Sequence, residues 1–358
     1  MNDRGHHRHG HGHARETPAD AHTGANPVLV EIARGEMTES RHRGSVAVVD
    51  AHGDVRLAIG DIVSPVFARS GIKPIQALPL IETGAAEAFA LGNAQIALAA
   101  SSHNGSPVHV DIVGNWLTKI GLSADDLECG SSLPWMEEDR KALYAAAGGG
   151  SPLHDNCSGK HTGFLTVARH LGHPTRGYIR YEHPVQQRVL GALEQMTGMD
   201  LFDAPKGIDG CGIPTIGIPL GNIALAMARL ADPHDQPEAR QAACARIRRS
   251  MAAEPYLVAG KGRFCTRVIE ALGEAALVKT GAEGVFCASL GKLKLGIALK
   301  IDDGAGRAAE AVMIRLLQKY ELITERATGQ LLNLFEPPVF NRAGKLVGLV
   351  RIAEGSGL

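Results

Sequence analysis

Hydrophobic periodicity divides the chain into a strand-rich start, a helical middle and a strand-rich end. Gly44-Ser-Val-Ala-Val-Val-Asp50 is rich in β-branched residues, Ala51-His52-Gly53 interrupts it, and Val55 to Gly60 is again strand-like. That pattern predicts a hairpin. Ile75, Leu78 and Ile81 then recur at spacing three until Gly84, which predicts a helix entered at Pro74 and shortened or kinked by Pro79. Gln95 to Ala100 is an apolar run that ends in Ser101-Ser102-His103-Asn104-Gly105, a polar loop of the kind that carries catalytic side chains. Val110, Val113, Leu117 and Ile120 mark an amphipathic helix closed by Gly121, and Phe164, Leu165, Ala168 and Leu171 mark another. From 220 to 275 the spacing is mostly helical, over Asn222 to Leu230, Gln236 to Ala252 and Cys265 to Leu272. Ala276 to Val285 and Leu293 to Ile301 read as strands, Arg307 to Tyr320 as a helix and Leu346 to Ile352 as a last strand.

The predicted class is therefore α/β, with a mostly helical middle between strand-rich ends. Residues 1–26 are polar and rich in Gly and His, with almost nothing to bury, and are expected to be a disordered tail. Residues 27–358 then form one domain. Ala145 to Pro152, with three consecutive glycines, is the most linker-like internal segment.

Composition narrows the class. The 358 residues carry a formal net charge of −1 and only 4% aromatics, which gives no electrostatic or stacking basis for binding nucleic acid. No uninterrupted apolar run reaches membrane-spanning length, and the start lacks a charged-then-apolar secretory pattern. Six cysteines are scattered without the spacing of a disulfide framework, which fits a reducing cytoplasm. Fold and composition together point to a cytoplasmic enzyme-sized protein.

Candidate chemistry gathers at a few loops. In Phe67-Ala-Arg-Ser-Gly-Ile-Lys-Pro74, Ser70 and Lys73 stand three apart, a spacing that lets an amine reach a hydroxyl on one helical face. Ser-x-x-Lys is a nucleophile-and-base signature of serine amide hydrolases, and equally the mark of a capping serine beside a surface lysine. His154-Asp-Asn-Cys-Ser-Gly-Lys-His161 packs a thiol, a hydroxyl, an amine and two imidazoles ahead of an apolar helix. Cys157 at that helix start would have a lowered thiol pKa. Asp209-Gly-Cys-Gly-Ile-Pro214 offers a second loop cysteine, and two such thiols are either zinc ligands or buried structural groups. Lys300, among apolar neighbours in a strand, either faces solvent or is a desolvated functional amine.

Taken in order, Ala68-Arg-Ser-Gly-Ile-Lys-Pro74, Ser101-Ser-His103, Asn156-Cys-Ser-Gly-Lys-His161, Asp209-Gly-Cys-Gly-Ile-Pro214 and Ala298-Leu-Lys-Ile-Asp-Asp-Gly304 resemble the L-asparaginase II family, the class 3 asparaginases. The resemblance spans residues 27–352 and leaves the His-rich tail without an inherited function. It implies hydrolysis of L-asparagine to aspartate and ammonia by one catalytic domain over 27–358, and a homodimer. The implied fold is similar to serine β-lactamases and glutaminases: the first hairpin and the late strands, from about 27–105 and 275–358, share one sheet, and the mostly helical middle packs against it. It also implies two Ser-Lys tandems, Ser70 with Lys73 and Ser102 with Lys300. Ser102 is taken over Ser101 because it directly precedes His103. By the same resemblance Cys157, Lys160 and Cys211 would hold zinc, no organic cofactor is needed, and Arg69, His161 and Asp209 would line the substrate pocket. Two lysines held close depress each other's pKa, which frees one amine to activate a serine. The expected sequence has Ser70 attack, Lys73 accept its proton, and Ser102 with Lys300 relay it.

Two other functions stay open at this stage. One is a glutaminase or other β-lactamase-like serine hydrolase, for which Ser70-x-x-Lys73 and Lys279-Thr280-Gly281 are the residues to quote. The other is a non-catalytic zinc- or ligand-binding protein in which Cys157 and Cys211 hold metal and the serines are structural.

Overall fold

The computed structural model describes residues 25–358. The tail expected at 1–26 therefore falls almost wholly outside the described residues. Asn26 is anchored: its Nδ2 donates to Asp302 Oδ1 at 2.9 Å, and its Oδ1 accepts Asp61 N–H at 2.8 Å.

The chain is α/β. Its main sheet comprises β1 (Val28–Arg34), β2 (Met37–Asp50), β3 (Val55–Ile59), β7 (Leu277–Thr280), β8 (Val285–Leu290), β9 (Leu295–Ile301), β10 (Pro338–Phe340) and β11 (Leu346–Ile352). Their order is β10-β11-β1-β2-β9-β8-β7, with β3 also paired to β2. β2 is long enough to hold two partners in succession, β1 along residues 37–43 and β3 along 46–49, while β9 takes its other edge. The strands expected near both chain ends thus share one sheet. A second, three-stranded sheet, β4 (Pro65–Phe67), β5 (Lys206–Ile208) and β6 (Pro214–Pro219), lies in the middle of the chain.

The late strands differ from the sequence pattern. Ala276 to Val285 is not one strand: Glu283 and Gly284 both adopt positive φ and turn the chain, so that β7 ends at Thr280 and β8 begins at Val285. Every residue of β8 is buried, so it carries no polar–apolar alternation to announce it. The start of β2 escapes periodicity for the opposite reason, because only His42 of residues 37–43 is buried.

Close packing of helix on sheet is visible at Gly296 on β9. A Cβ there would fall 1.9 Å from Ala224 O, so only glycine lets helix Leu220–Ala231 lie this near the strand. Helix Gly306–Lys319 also packs on the sheet, against β1, β8, β9 and β11. Phe286 on β8 meets Phe264 of helix Phe264–Leu272 edge-on, with centroids 5.2 Å apart.

Two prolines shape the entry to the site. Segment Arg69–Ile72 is a 3₁₀ turn, followed by helix Lys73–Gln76 and helix Leu78–Glu82. Pro74 and Pro79 each sit in the first turn of one of these helices, where a missing N–H costs nothing. The expected single helix is broken in two because Pro79 cannot continue the first one. Helix Asn93–Ala99 then delivers the chain into loop 101–105, and helix Ser158–Leu171 starts directly after Cys157.

Candidate active site

Register across the sheet decides which lysine reaches the serines. Lys279 on β7 pairs with Cys287 on β8, and Cys287 pairs with Ala298 on β9. Paired residues share a face, so Lys279 and Cys287 point the same way. The 3₁₀ turn lies on that face: a Cβ added to Gly71 would sit 2.8 Å from Cys287 Sγ. The Ser70 segment is thereby laid beside Lys279. Lys300, two residues along β9 from Ala298, pairs instead with Val285 at the turn end of β8.

Ser102 is the point of convergence. Its Oγ accepts from Lys73 Nζ at 3.0 Å and from Lys279 Nζ at 2.8 Å. Lys73 also donates to Ser101 O at 2.6 Å and Asn156 O at 3.5 Å, so its three N–H donors meet three oxygens. Lys279 also donates to Thr280 O at 2.9 Å. Both lysines are about 1% exposed and Ser102 is 6% exposed. Burial, reinforced by the charge of Lys73, lowers the Lys279 pKa to about 7.

Ser70 is half-buried, one turn before Lys73, and its hydroxyl is not among the Lys73 hydrogen-bond partners. The residue before it, Arg69, has φ +49°, a left-handed conformation that costs a non-glycine residue about 1 kcal/mol or more. Lys300 Nζ is spent elsewhere, donating to the carbonyls of Glu283 (2.7 Å) and Ile301 (2.5 Å). The structure therefore joins Lys73, Ser102 and Lys279, and does not bring Lys300 to Ser102. Lys279 was legible as Lys279-Thr280-Gly281, but only strand register reveals its reach.

His103 fixes the loop beside Ser102. Its Nδ1 accepts Gly105 N–H at 3.0 Å, so Nε2 carries the proton and donates to Ser158 Oγ at 2.9 Å. His103 stacks on His109, centroids 4.8 Å apart, and His109 stacks on Tyr256 at 5.2 Å.

The three expected pocket residues also lie within this region. Arg69 Nε and Nη2 donate to Asp209 Oδ1 at 3.1 and 3.0 Å. Burial raises the Asp209 pKa, but the Arg69 bond and the Lys160 charge outweigh it and leave the carboxyl below its usual range. Tyr178 OH accepts Glu128 N–H, and its own proton goes to His161 Nδ1 at 2.8 Å. That bonding leaves the proton of His161 on Nε2, a buried donor without a partner in the structure. Burial first, then the Lys160 and Lys73 charges, holds this imidazole neutral, well below its usual pKa.

Cys157, Lys160 and Cys211 form a buried cluster. Lys160 Nζ donates to Cys211 Sγ at 3.1 Å, and the Cys157 thiol donates to Asn156 Oδ1 at 3.0 Å. The neighbouring Cys211 side chain holds the Cys157 thiol well below its usual range against burial, with the Lys73 and Lys160 charges helping. Burial opposes the Lys160 charge, but the two sulfurs keep its pKa raised. Among the described residues no three His, Cys, Asp or Glu side chains converge as a metal site. The cluster has a third donor only through the Lys160 amine. The donor set nevertheless fits zinc: ligand atoms of a tetrahedral site are about 3.5 Å apart, close to the lysine–sulfur spacing seen.

Fold and site together define an α/β protein with a buried serine held between two lysines. The chain belongs to the L-asparaginase II family, whose model it matches over residues 30–352. Among solved structures, Mglu in its native form in 4.3 M NaCl aligns at TM-score 0.44 and 14% identity, covering 83% of this chain. This chain spans 65% of that protein's length. A β-lactamase from Mycobacterium bovis aligns at TM-score 0.36 and 14% identity, over 77% of this chain and 94% of its own. A second Mglu structure aligns at TM-score 0.35 and 16% identity, over 83% of this chain and 72% of its own. No curated protein sequence matches the chain.

Proposed function

We propose that the protein is an amidohydrolase that converts L-asparagine to L-aspartate and ammonia. Family membership supports an asparaginase, and the observation that carries the chemistry is Ser102 bonded to two buried amines, one with its pKa lowered to about 7.

In this reading Lys279 takes the place expected of Lys300. A neutral Lys279 accepts the Ser102 proton while Ser102 accepts one from Lys73, which moves one proton from Lys73 to Lys279. The freed Lys73 amine then takes the Ser70 proton as Ser70 Oγ attacks the side-chain amide carbon. Lys73 returns that proton to nitrogen as the C–N bond breaks and ammonia leaves. Water then attacks the acyl carbon and gives a proton to Lys73, which passes it to Ser70 Oγ as the ester bond breaks and aspartate leaves. Ser70 is favoured as nucleophile because it is the more exposed hydroxyl, whereas Ser102 is enclosed between its lysines. A second assignment, Ser102 as nucleophile, draws on its two bonds to amines.

The Arg69–Asp209 pair offers opposite charges to the α-carboxylate and α-ammonium of an amino acid, and the unpaired Nε2–H of His161 offers a donor to a substrate oxygen. Cys157, Lys160 and Cys211 would hold zinc, whose own charge would deprotonate the amine and both thiols. When bound it would supply a fixed positive charge that organises the substrate. Assembly as a homodimer and residence in the cytoplasm complete the reading. All six cysteines are free thiols, and among the described residues no helix is long and apolar enough to cross a membrane.

Ammonia release measured with L-asparagine and with L-glutamine tests the activity. Release from asparagine in excess over glutamine is expected, and release from glutamine alone favours the glutaminase alternative.

A further inference from the structure

Three segments meet at Asn104, two residues after Ser102. Its carbonyl accepts Trp135 N–H at 2.8 Å, its Oδ1 accepts from Arg263 Nη1 at 3.0 Å, and its Nδ2 donates to Lys261 O at 3.4 Å. Asn104 is 2% exposed, and Gly260, at φ +112°, presses on it so closely that a Cβ would fall 2.7 Å from Asn104 Cγ.

Trp135 belongs to a strap whose ends close on each other, with Ser132 N–H donating to Ser151 O at 3.3 Å. The strap's helix, Glu137–Ala145, has no buried residue, so its own packing does little to hold it down. What ties it is specific. The Arg263 guanidinium lies 4.9 Å from the Trp135 ring centroid, Lys261 Nζ bonds Glu138 Oε1 at 2.8 Å, and Arg140 Nη1 bonds the Trp135 carbonyl at 2.6 Å. Arg263 also stands at the start of helix Phe264–Leu272, where Cys265 Sγ accepts Thr280 N–H at 3.4 Å, next to Lys279.

We propose that Arg263 is a positioning residue for the reaction: through Asn104 it fixes the loop that carries Ser102, and through Trp135 it latches the strap 132–151 onto that loop. The assignment rests on the amidohydrolase reading above. A planar, five-donor cation suits the role, since one fork can hydrogen-bond an amide while its face stacks on an indole. Arg263 is also one of the groups facing Lys279, with Lys73, Cys265, Cys157 and Cys287. Losing its charge should let Lys279 hold a proton at higher pH.

The test uses Arg263→Gln, Arg263→Lys and Trp135→Ala in the full chain, with far-UV circular dichroism to establish folding. The chain has two tryptophans, and Trp116 is 1% exposed while Trp135 is 65% exposed, so acrylamide quenching of fluorescence follows the latch. Arg263→Gln is expected to increase that quenching and lower kcat/KM about tenfold or more. It should also move the acid limb of the kcat/KM profile to higher pH. Arg263→Lys should restore the limb, and Trp135→Ala should raise KM with the limb unmoved. An active Arg263→Gln enzyme with unchanged quenching, kcat/KM and acid limb overturns the assignment. If Arg263→Gln fails to fold, a Trp135→Ala enzyme with wild-type KM overturns the latch. A wild type that hydrolyses no amide overturns the functional reading, and with it the positioning role.

Discussion

Lys279 Nζ and Ser102 Oγ lie 2.8 Å apart although 177 residues separate them in sequence. Lys73 approaches the same oxygen at 3.0 Å. One hydroxyl thus links two amines in a space nearly closed to water, where like charges cannot both be held cheaply.

The first consequence separates two lysines. Lys279→Met is expected to lower kcat by about 10²–10⁴ with the fold retained, the usual worth of a proton-transfer group. Lys300→Met removes bonds to two backbone carbonyls and a charge beside Asp302, Glu283 and Asp303, none of them at Ser102, and should leave kcat within about threefold. Steady-state kinetics of both variants, with circular dichroism as the folding control, check this.

The pH dependence follows from the direction of the Lys279 shift. Burial and the Lys73 charge disfavour its protonated form, which brings its pKa to about 7, and the proposed relay needs the neutral amine. Below pH 7 the neutral fraction falls about tenfold per unit, so log kcat/KM should descend with unit slope on the acid side. A flat profile from pH 5 to 7 contradicts the role given to Lys279.

Gly71 is a packing requirement of the site. A Cβ there would fall 2.8 Å from Cys287 Sγ, so Gly71→Ala should displace the Ser70 turn, cost about 1–3 kcal/mol and lower activity on the order of 10²-fold. Cys287→Ala removes the obstructing sulfur, and the double variant should regain part of both losses. Denaturant midpoints and turnover numbers for the four proteins of the cycle measure the coupling.

Metal content tests the cysteine–lysine cluster independently of turnover. Protein lacking residues 1–24 is expected to bind one zinc per chain by elemental analysis, and Cys211→Ser to lose it or hold it far more weakly. Stoichiometric zinc in Cys211→Ser would place the ion elsewhere.

Much of this architecture is legible in the sequence. The hairpin Val46–Ile59 and the helices over 220–272 follow from periodicity, and the meeting of early and late strands from the family resemblance. The order of Ser70, Ser102, Cys157 and Cys211 carried the family resemblance. What periodicity could not supply was long-range register. Lys279 and Lys300 both sit in apolar strands on one face of the sheet, and only the pairing of Lys279 with Cys287, against Gly71, tells which amine reaches Ser102. β8 was invisible because a strand buried on both faces has no alternation, and so was the left-handed backbone of Arg69, which violates the local preference of a non-glycine residue.

The most direct test is ammonia release from L-asparagine by the wild type and by Ser70→Ala, with Ser102→Ala alongside and zinc supplied. Release by the wild type is expected, with a loss of at least about 10³-fold in folded Ser70→Ala. Near-normal turnover by Ser70→Ala would contradict the nucleophile assignment in favour of Ser102, and no release by the folded wild type would contradict the amidohydrolase itself.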